Sequence, residues 1–257
     1  IDEGEKNDTY TCAMYGQGFG YTMGLGWIED KGGNDTYTAG GVYLHSPSYK
    51  DRYLSLSQGF GFGSRYSNIA GGVGMIVDRG NGNDSYTAEV YGQGSSYWFA
   101  LGIAWDEGGN DIWSLVIYGQ GAGIHLSAGI LVDLAGHDRY INEFGVGTGG
   151  AHDYAVGWLI DLDGDDTYVS NAIGQGLNNS VAIFYDAKGN DIYASREQTS
   201  TGSGLNASIC LLIDGAGRDS CTVPASNGLW HLRGNYGAVI DVAGPGEALP
   251  ARLERTY

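Results

Sequence analysis

Asp106-Glu-Gly-Gly-Asn-Asp111-Ile-Trp113 returns 27 residues later as Asp133-Leu-Ala-Gly-His-Asp138-Arg-Tyr140. The same phrase, an Asp, a short Gly-bearing turn and then Asp-x-aromatic, recurs at 30–37, 161–168 and 186–193. Its second Asp forms a column: Asp8, Asp35, Asp84, Asp111, Asp138, Asp166, Asp191 and Asp219. Its first Asp forms another: Asp2, Asp30, Asp78, Asp106, Asp133, Asp161, Asp186, Asp214 and Asp241. Nine residues past the second Asp stands the Gln of a Gly-Gln-Gly, at Gln17, Gln93, Gln120 and Gln175. A fixed period of this length marks a repeat array, too short for a propeller blade and suited to one coil of a solenoid. With 46 Gly, 19 Tyr and only 4 Pro, the composition suits short strands and tight turns.

The fold expected is all-β, a parallel β-solenoid (β-helix) of about eight coils of ~27 residues. One array spans residues 1–244, and residues 245–257 depart from the repeat as a cap or docking segment. A 49-residue gap between Asp35 and Asp84 holds an insertion, expected as a protruding loop at about 39–57. Each coil offers three strand candidates: after the turn, through Gly-Gln-Gly, and into the first Asp. The aromatic column Tyr10, Tyr37, Tyr86, Trp113, Tyr140, Tyr168, Tyr193 reads as a stacked core ladder, and the Gln column as an amide ladder. In the third strand, large residues (Trp27, Met75, Ile103, Ile130, Trp158, Ile183, Leu211) alternate with small ones (Gly26, Gly74, Gly102, Gly129, Gly157, Ala182). Neither set is polar, so two explanations stay open: a thin core closed on Gly columns, or a large-residue face that docks another chain.

Stacking turns the Asp columns into ladders about 4.8 Å apart, where neighbouring carboxylates repel by roughly 3–4 kcal/mol at an effective dielectric near 20. Two compensations are open. Each Asp can accept N–H bonds from its own turn. Alternatively, stacked turns can ligate calcium through Asp30, Asp35, Asp78, Asp84, Asp106, Asp111, Asp133, Asp138, Asp161, Asp166, Asp186 and Asp191, because calcium takes six to eight hard oxygens.

Gly80-Asn-Gly82-Asn83-Asp84-Ser-Tyr86 resembles the nonapeptide of RTX, or haemolysin-type, calcium-binding repeats. The resemblance implies a β-roll whose stacked turns clamp calcium, with Asp84 as a ligand and Tyr86 as the inward residue. By the same alignment it implies ligands at Asp35, Asp111, Asp138, Asp166 and Asp191. The chain departs from that family in having one such turn per coil rather than one per nine residues, and an Asp where the family has its first Gly. The layout is also similar to uncharacterised repeat proteins of bacterial surfaces.

The net charge of −17 repels nucleic acid and anionic membrane faces. No apolar run reaches the ~18 residues of a bilayer span, and the absence of a signal-peptide pattern reads as a mature or trimmed segment. Three cysteines make no framework, though Cys210 and Cys221 could pair across a turn. His125 and His152, on adjacent coils beside Asp153, form the one acid–base or metal candidate that breaks the repeat. Its uncovered first strand and altered C-terminal end permit head-to-tail homo-oligomers. The function expected is a non-catalytic extracellular or cell-surface structural role, a rigid acidic rod in adhesion, a surface layer or a filament. The alternative is a protein that binds or cleaves polysaccharide, using His45, Tyr49, Arg52 and Tyr53 of the insertion or the histidine pair.

Overall fold

The structure is a computed structural model that describes residues 1–46, 48–66, 71–197, 200–222, 230–233, 236–242 and 254–256. It is an all-β parallel solenoid. The strands that follow the turns, such as Ile112–Leu115 and Arg139–Asn142, form an eight-stranded sheet. Two-residue strands such as Gly123–Ile124 form a second sheet of six. The strands entering the first Asp, from Leu25–Asp30 to Gly237–Asp241, form the third sheet. Trp230–Arg233 joins this third sheet antiparallel to Gly237–Asp241, and Glu254–Thr256 pairs beside it. Apart from that strand, the proposed end segment lies outside the described residues.

Register follows the repeat. Asp106 pairs with Asp78 on one side and Asp133 on the other, and Trp113 pairs with Tyr86 and Tyr140. A one-residue slip would throw the whole apolar set to the other face, so the alternation pins the coils. The core is two facing columns. Tyr37, Tyr86, Trp113, Tyr140, Tyr168 and Tyr193 come from the first sheet, and Ile76, Ala104, Leu131, Leu159, Phe184 and Leu212 from the third. The aromatic rings stack coplanar, for example 4.8 Å between Tyr37 and Tyr86 and 4.9 Å between Tyr140 and Tyr168.

The small residues of the third strand do close a thin core. A Cβ on Gly102 would sit 1.8 Å from the Ser95 carbonyl oxygen, and one on Gly157 would sit 1.7 Å from that of Gly150. Backbone therefore meets backbone across this wall. The large residues point the other way, to the outside: Trp27 is 50% exposed and Trp158 38%.

Three expectations need correction. The glutamines make no side-chain ladder. Gln93 Nε2 donates to the Tyr86 carbonyl of its own coil (3.1 Å) and the Ser114 carbonyl of the next (2.8 Å), and Gln120 and Gln58 repeat this clip. At φ of 48–56° these glutamines are left-handed and aim the amide at the strand ends instead of along the stack. The insertion does not project as a loop. Leu44–His45 and Tyr49–Tyr53 form a hairpin laid along the rod, with Tyr49 and Leu54 against Val90, Val116 and Ile117. Arg52 reaches Glu143 at 2.5 Å. Apolar surface on the later coils holds it down. None of the three cysteines is in a disulfide, and Cys210 and Cys221 lie on different sheets.

Close stacking makes the turn glycines indispensable. Gly109 has φ +140, and a Cβ there would lie 1.4 Å from the Gly82 carbonyl oxygen one coil away. Gly41 has φ +77 with open space around it. Thermal unfolding of the two alanine variants separates backbone strain from stacking. Gly41→Ala should cost about 1 kcal/mol of φ strain. Gly109→Ala should cost several times that, or abolish the cooperative transition.

Candidate functional site: an acidic seam between the coils

The stacked turns bury both Asp columns. Asp78, Asp84, Asp106, Asp111, Asp133, Asp138, Asp161, Asp166, Asp186 and Asp191 are all 0–2% exposed, as are Asp30 and Asp35. Buried carboxylates require partners, and the coils supply them in two distinct ways.

In the second column, each Oδ1 accepts a bond from the backbone N–H of the Asp one coil earlier. Asp84 N donates to Asp111 Oδ1 (2.6 Å), Asp111 N to Asp138 (2.6 Å), Asp138 N to Asp166 (2.6 Å) and Asp166 N to Asp191 (2.7 Å). The residue just before this Asp runs an outer ladder of opposite polarity. Asn110 N donates to Asn83 Oδ1 (2.7 Å) and His137 N to Asn110 Oδ1 (2.8 Å), while His137 Nδ1 accepts from Asp165 N (2.8 Å).

In the first column, Oδ2 of Asp30, Asp78, Asp106, Asp133, Asp161 and Asp186 is held by the aromatic ladder. Tyr140 Oη donates toward Asp133 and Asp161 (2.9 Å to each), and Tyr168 toward Asp161 (2.9 Å) and Asp186 (2.8 Å). One hydroxyl proton cannot fill both bonds at once, so neighbouring coils share it. Trp113 offers only its Nε1 to Asp133, at 3.3 Å. The turn N–H bond to Oδ1 expected of an Asx-turn forms at Asp30 (from Gly32, 3.0 Å), Asp106 (from Gly108, 2.9 Å) and Asp186 (from Lys188, 3.3 Å).

These bonds leave a residue of unmatched acceptors. Oδ2 of Asp35, Asp84, Asp111, Asp138, Asp166 and Asp191 has no donor, nor has Oδ1 of Asp133 and Asp161. They converge. One carboxylate oxygen each from Asp84, Asp106 and Asp111 lies within 4.8 Å of the others, and the trios Asp35/Asp78/Asp84 and Asp111/Asp133/Asp138 repeat the arrangement. Turn capping therefore accounts for one oxygen of some aspartates and leaves the seam itself unfilled. The aspartates singled out from the sequence come together. The spacing also held a signal of the Tyr hydroxyl contribution, because Tyr37, Tyr140, Tyr168 and Tyr193 stand seven residues after a first-column Asp, and Tyr10 and Tyr86 eight.

Burial, reinforced by neighbouring carboxylates, pushes Asp78 up to about 8 and Asp84 up to about 7. Asp111, Asp133, Asp138, Asp161 and Asp166 are raised for the same first reason. The Asp111 and Asp106 carboxyls are close enough to hydrogen-bond when one carries a proton. Only a proton or a cation can reconcile two facing carboxylate oxygens in this interior. The donor set is all hard oxygen and fits calcium better than a soft-ligand metal. Each coil adds two carboxylates, the charge of one divalent ion. A cleft over the turns, lined by Asn81, Asn83, Asn110, His137 and Asp163, adds further oxygens outside the seam.

The histidine pair forms a separate cluster. His125 Nδ1 is 2.8 Å from Asp153 Oδ2 and His152 Nε2 is 3.6 Å from Asp153 Oδ1, while Trp98 stacks on His125 at 4.9 Å. Asn178 Nδ2 donates to Asp153 at 2.6 Å. Burial, its largest influence, lowers the pKa of His125 against the pull of Asp153. Of the insertion residues, His45 packs on Tyr49 and Tyr91, and Arg52 is taken up by Glu143 and Phe144. Ring contacts link the insertion to the histidine pair through Tyr91 and Tyr97.

Comparison with protein-family models, curated proteins and solved structures found no match.

The raised carboxyl pKa values set a pH dependence. The folded seam holds protons that the unfolded chain releases above about pH 4, so this stability is complete below the unfolded pKa and is lost as pH rises through the folded values. With a chelator present, the melting temperature should fall from pH 5 to pH 9, with much of the loss near pH 7–8 where Asp84 and Asp78 ionise. Calorimetry across that range, showing a flat or rising melting temperature instead, would contradict the buried seam.

Proposed function

We propose that the protein is a non-catalytic structural solenoid, a rigid acidic rod whose interior seam is closed by calcium. Its setting is outside the cell, in adhesion, a surface layer or a filament, where calcium is abundant enough to fill sites of modest affinity. The trios of buried carboxylates, several of whose oxygens lack a donor, carry this reading. Asp84, Asp106 and Asp111 would hold one ion, and Asp111, Asp133 and Asp138 the next, with Asp111 shared between them. Calcium would supply the positive charge that the seam's hydrogen bonds do not, tying each coil to its neighbour. The resemblance of the Asp84 turn to RTX repeats supports the same ion. The regularity of the coils supports a structural role, because catalysis needs a unique cluster and the departures from the repeat are few.

The test is thermal unfolding at pH 8 in calcium and in chelator, on the native chain and on Asp138→Asn. Calcium should raise the melting temperature of the native chain, through about 2.7 kcal/mol of added stability per independent site at a hundredfold excess over Kd. An Asn at 138 keeps the Oδ1 that accepts from Asp111 N, and its amide can donate into the seam. It should therefore melt higher than the native chain in chelator and gain less from calcium. Identical native-chain melting in both conditions would overturn the proposal.

A further inference from the structure

The third sheet presents an apolar outer face to solvent. Two columns of side chains run along the rod: Leu25, Val73, Leu101, Ala128, Val156, Val181, Ile209, and beside them Trp27, Met75, Ile103, Ile130, Trp158, Ile183, Leu211. The next position on this face is Glu29, Val77, Trp105, Val132, Ile160, Tyr185 and Ile213, of which Glu29, Val77 and Val132 are buried. Across seven strands the single charged side chain is Glu29, which is paired with Arg79 at 2.6 Å. Leu25 is 66% exposed, Ile209 54% and Val156 40%. The surface is apolar along its length, with Glu29 its one charged side chain.

We propose that this face is the contact between two copies of the chain, packed sheet on sheet. Three features select a second copy. The first is area. Seven strands about 4.8 Å apart, five residues wide at about 3.3 Å each, give roughly 500 Å² of flat face before side-chain relief is counted. That rivals the largest apolar patches left on monomers and, with relief, approaches the ~800 Å² per partner of a standard interface. The second is shape. The side chains form straight ridges along the rod with grooves between, at a spacing fixed by the coil repeat. Another sheet with the same repeat fits those grooves over their full length, and a copy of the chain has it by construction. A two-fold axis through the face makes the contact self-complementary and closed. The third is charge. Pairing these faces desolvates no charged side chain but Glu29, which already has a partner in Arg79.

The contact stands apart from the cation proposal, since no seam residue takes part in it. Sedimentation equilibrium of the full chain, from nanomolar to high micromolar and in both calcium and chelator, tests it. The native chain should be a dimer in both conditions. Ile130→Glu and Trp158→Glu place a charge at the centre of the contact while leaving the inward core untouched, and each should weaken dimerisation by about 100-fold or more. Circular dichroism and melting of the variants check that the solenoid survives. Trp158→Thr, which suits a strand and adds no charge, should give a smaller loss if the glutamate variants do not fold. A native chain that is monomeric throughout would overturn the proposal. So would an assembly that Trp158→Thr and both folded glutamate variants leave unchanged, or one that forms only with calcium.

Discussion

Like carboxylates stacked one coil apart inside a dry wall are the constraint from which the rest of the structure follows. Parallel, in-register pairing puts Asp106 beside Asp78 and Asp133, and the sequence cannot keep its repeat without repeating that charge. Hydrogen bonds relieve part of the strain. Backbone N–H groups take one oxygen of the second column, and tyrosine hydroxyls take one oxygen of the first. The bonds also tie coil to coil, so the groups that neutralise the ladders also enforce the stacking. Other oxygens of the seam have no donor, and under the calcium proposal their neutralisation would set the pH and ion dependence of the rod.

Much of this was legible in the sequence because a solenoid writes each structural position as a column. Identical residues at one period report the same environment several times over, which is why the Asp columns, the aromatic ladder and the strand register could be read directly. The glutamines could not be placed the same way, since a column fixes a row of side chains but not whether each amide reaches its neighbour or a backbone carbonyl. Their left-handed φ decides that, and no residue type announces it at Gln93 or Gln120. The hairpin from Leu44 to Tyr53 occurs once and has no period, so its docking surface on Val90, Val116 and Ile117 left no signal. The depth of the aspartates was also hidden. Gly-rich acidic turns ordinarily face water, and only the absence of Cβ at Gly82, Gly109 and Gly136 lets successive turns close over them.

The two faces of the third strand divide the work. Its inward glycines bring backbone against backbone and leave no room for a wide core, so the wall is thin and each coil leans on the next. Its outward ridges are as apolar as the interior, a pattern for which the fold of one chain has no use. Under the two proposals, an acidic seam would bind the coils lengthwise and an apolar face would bind rods sideways, as suits a building element more than a catalyst.

Calcium titration of the chelator-stripped chain at pH 8, by calorimetry in two buffers of different ionisation enthalpy, tests the seam most directly. The account predicts saturable uptake of more than one ion per chain, with proton release on binding, because ions displace the protons that the buried carboxyls otherwise keep. Uptake without proton release, or no uptake at all, would contradict it.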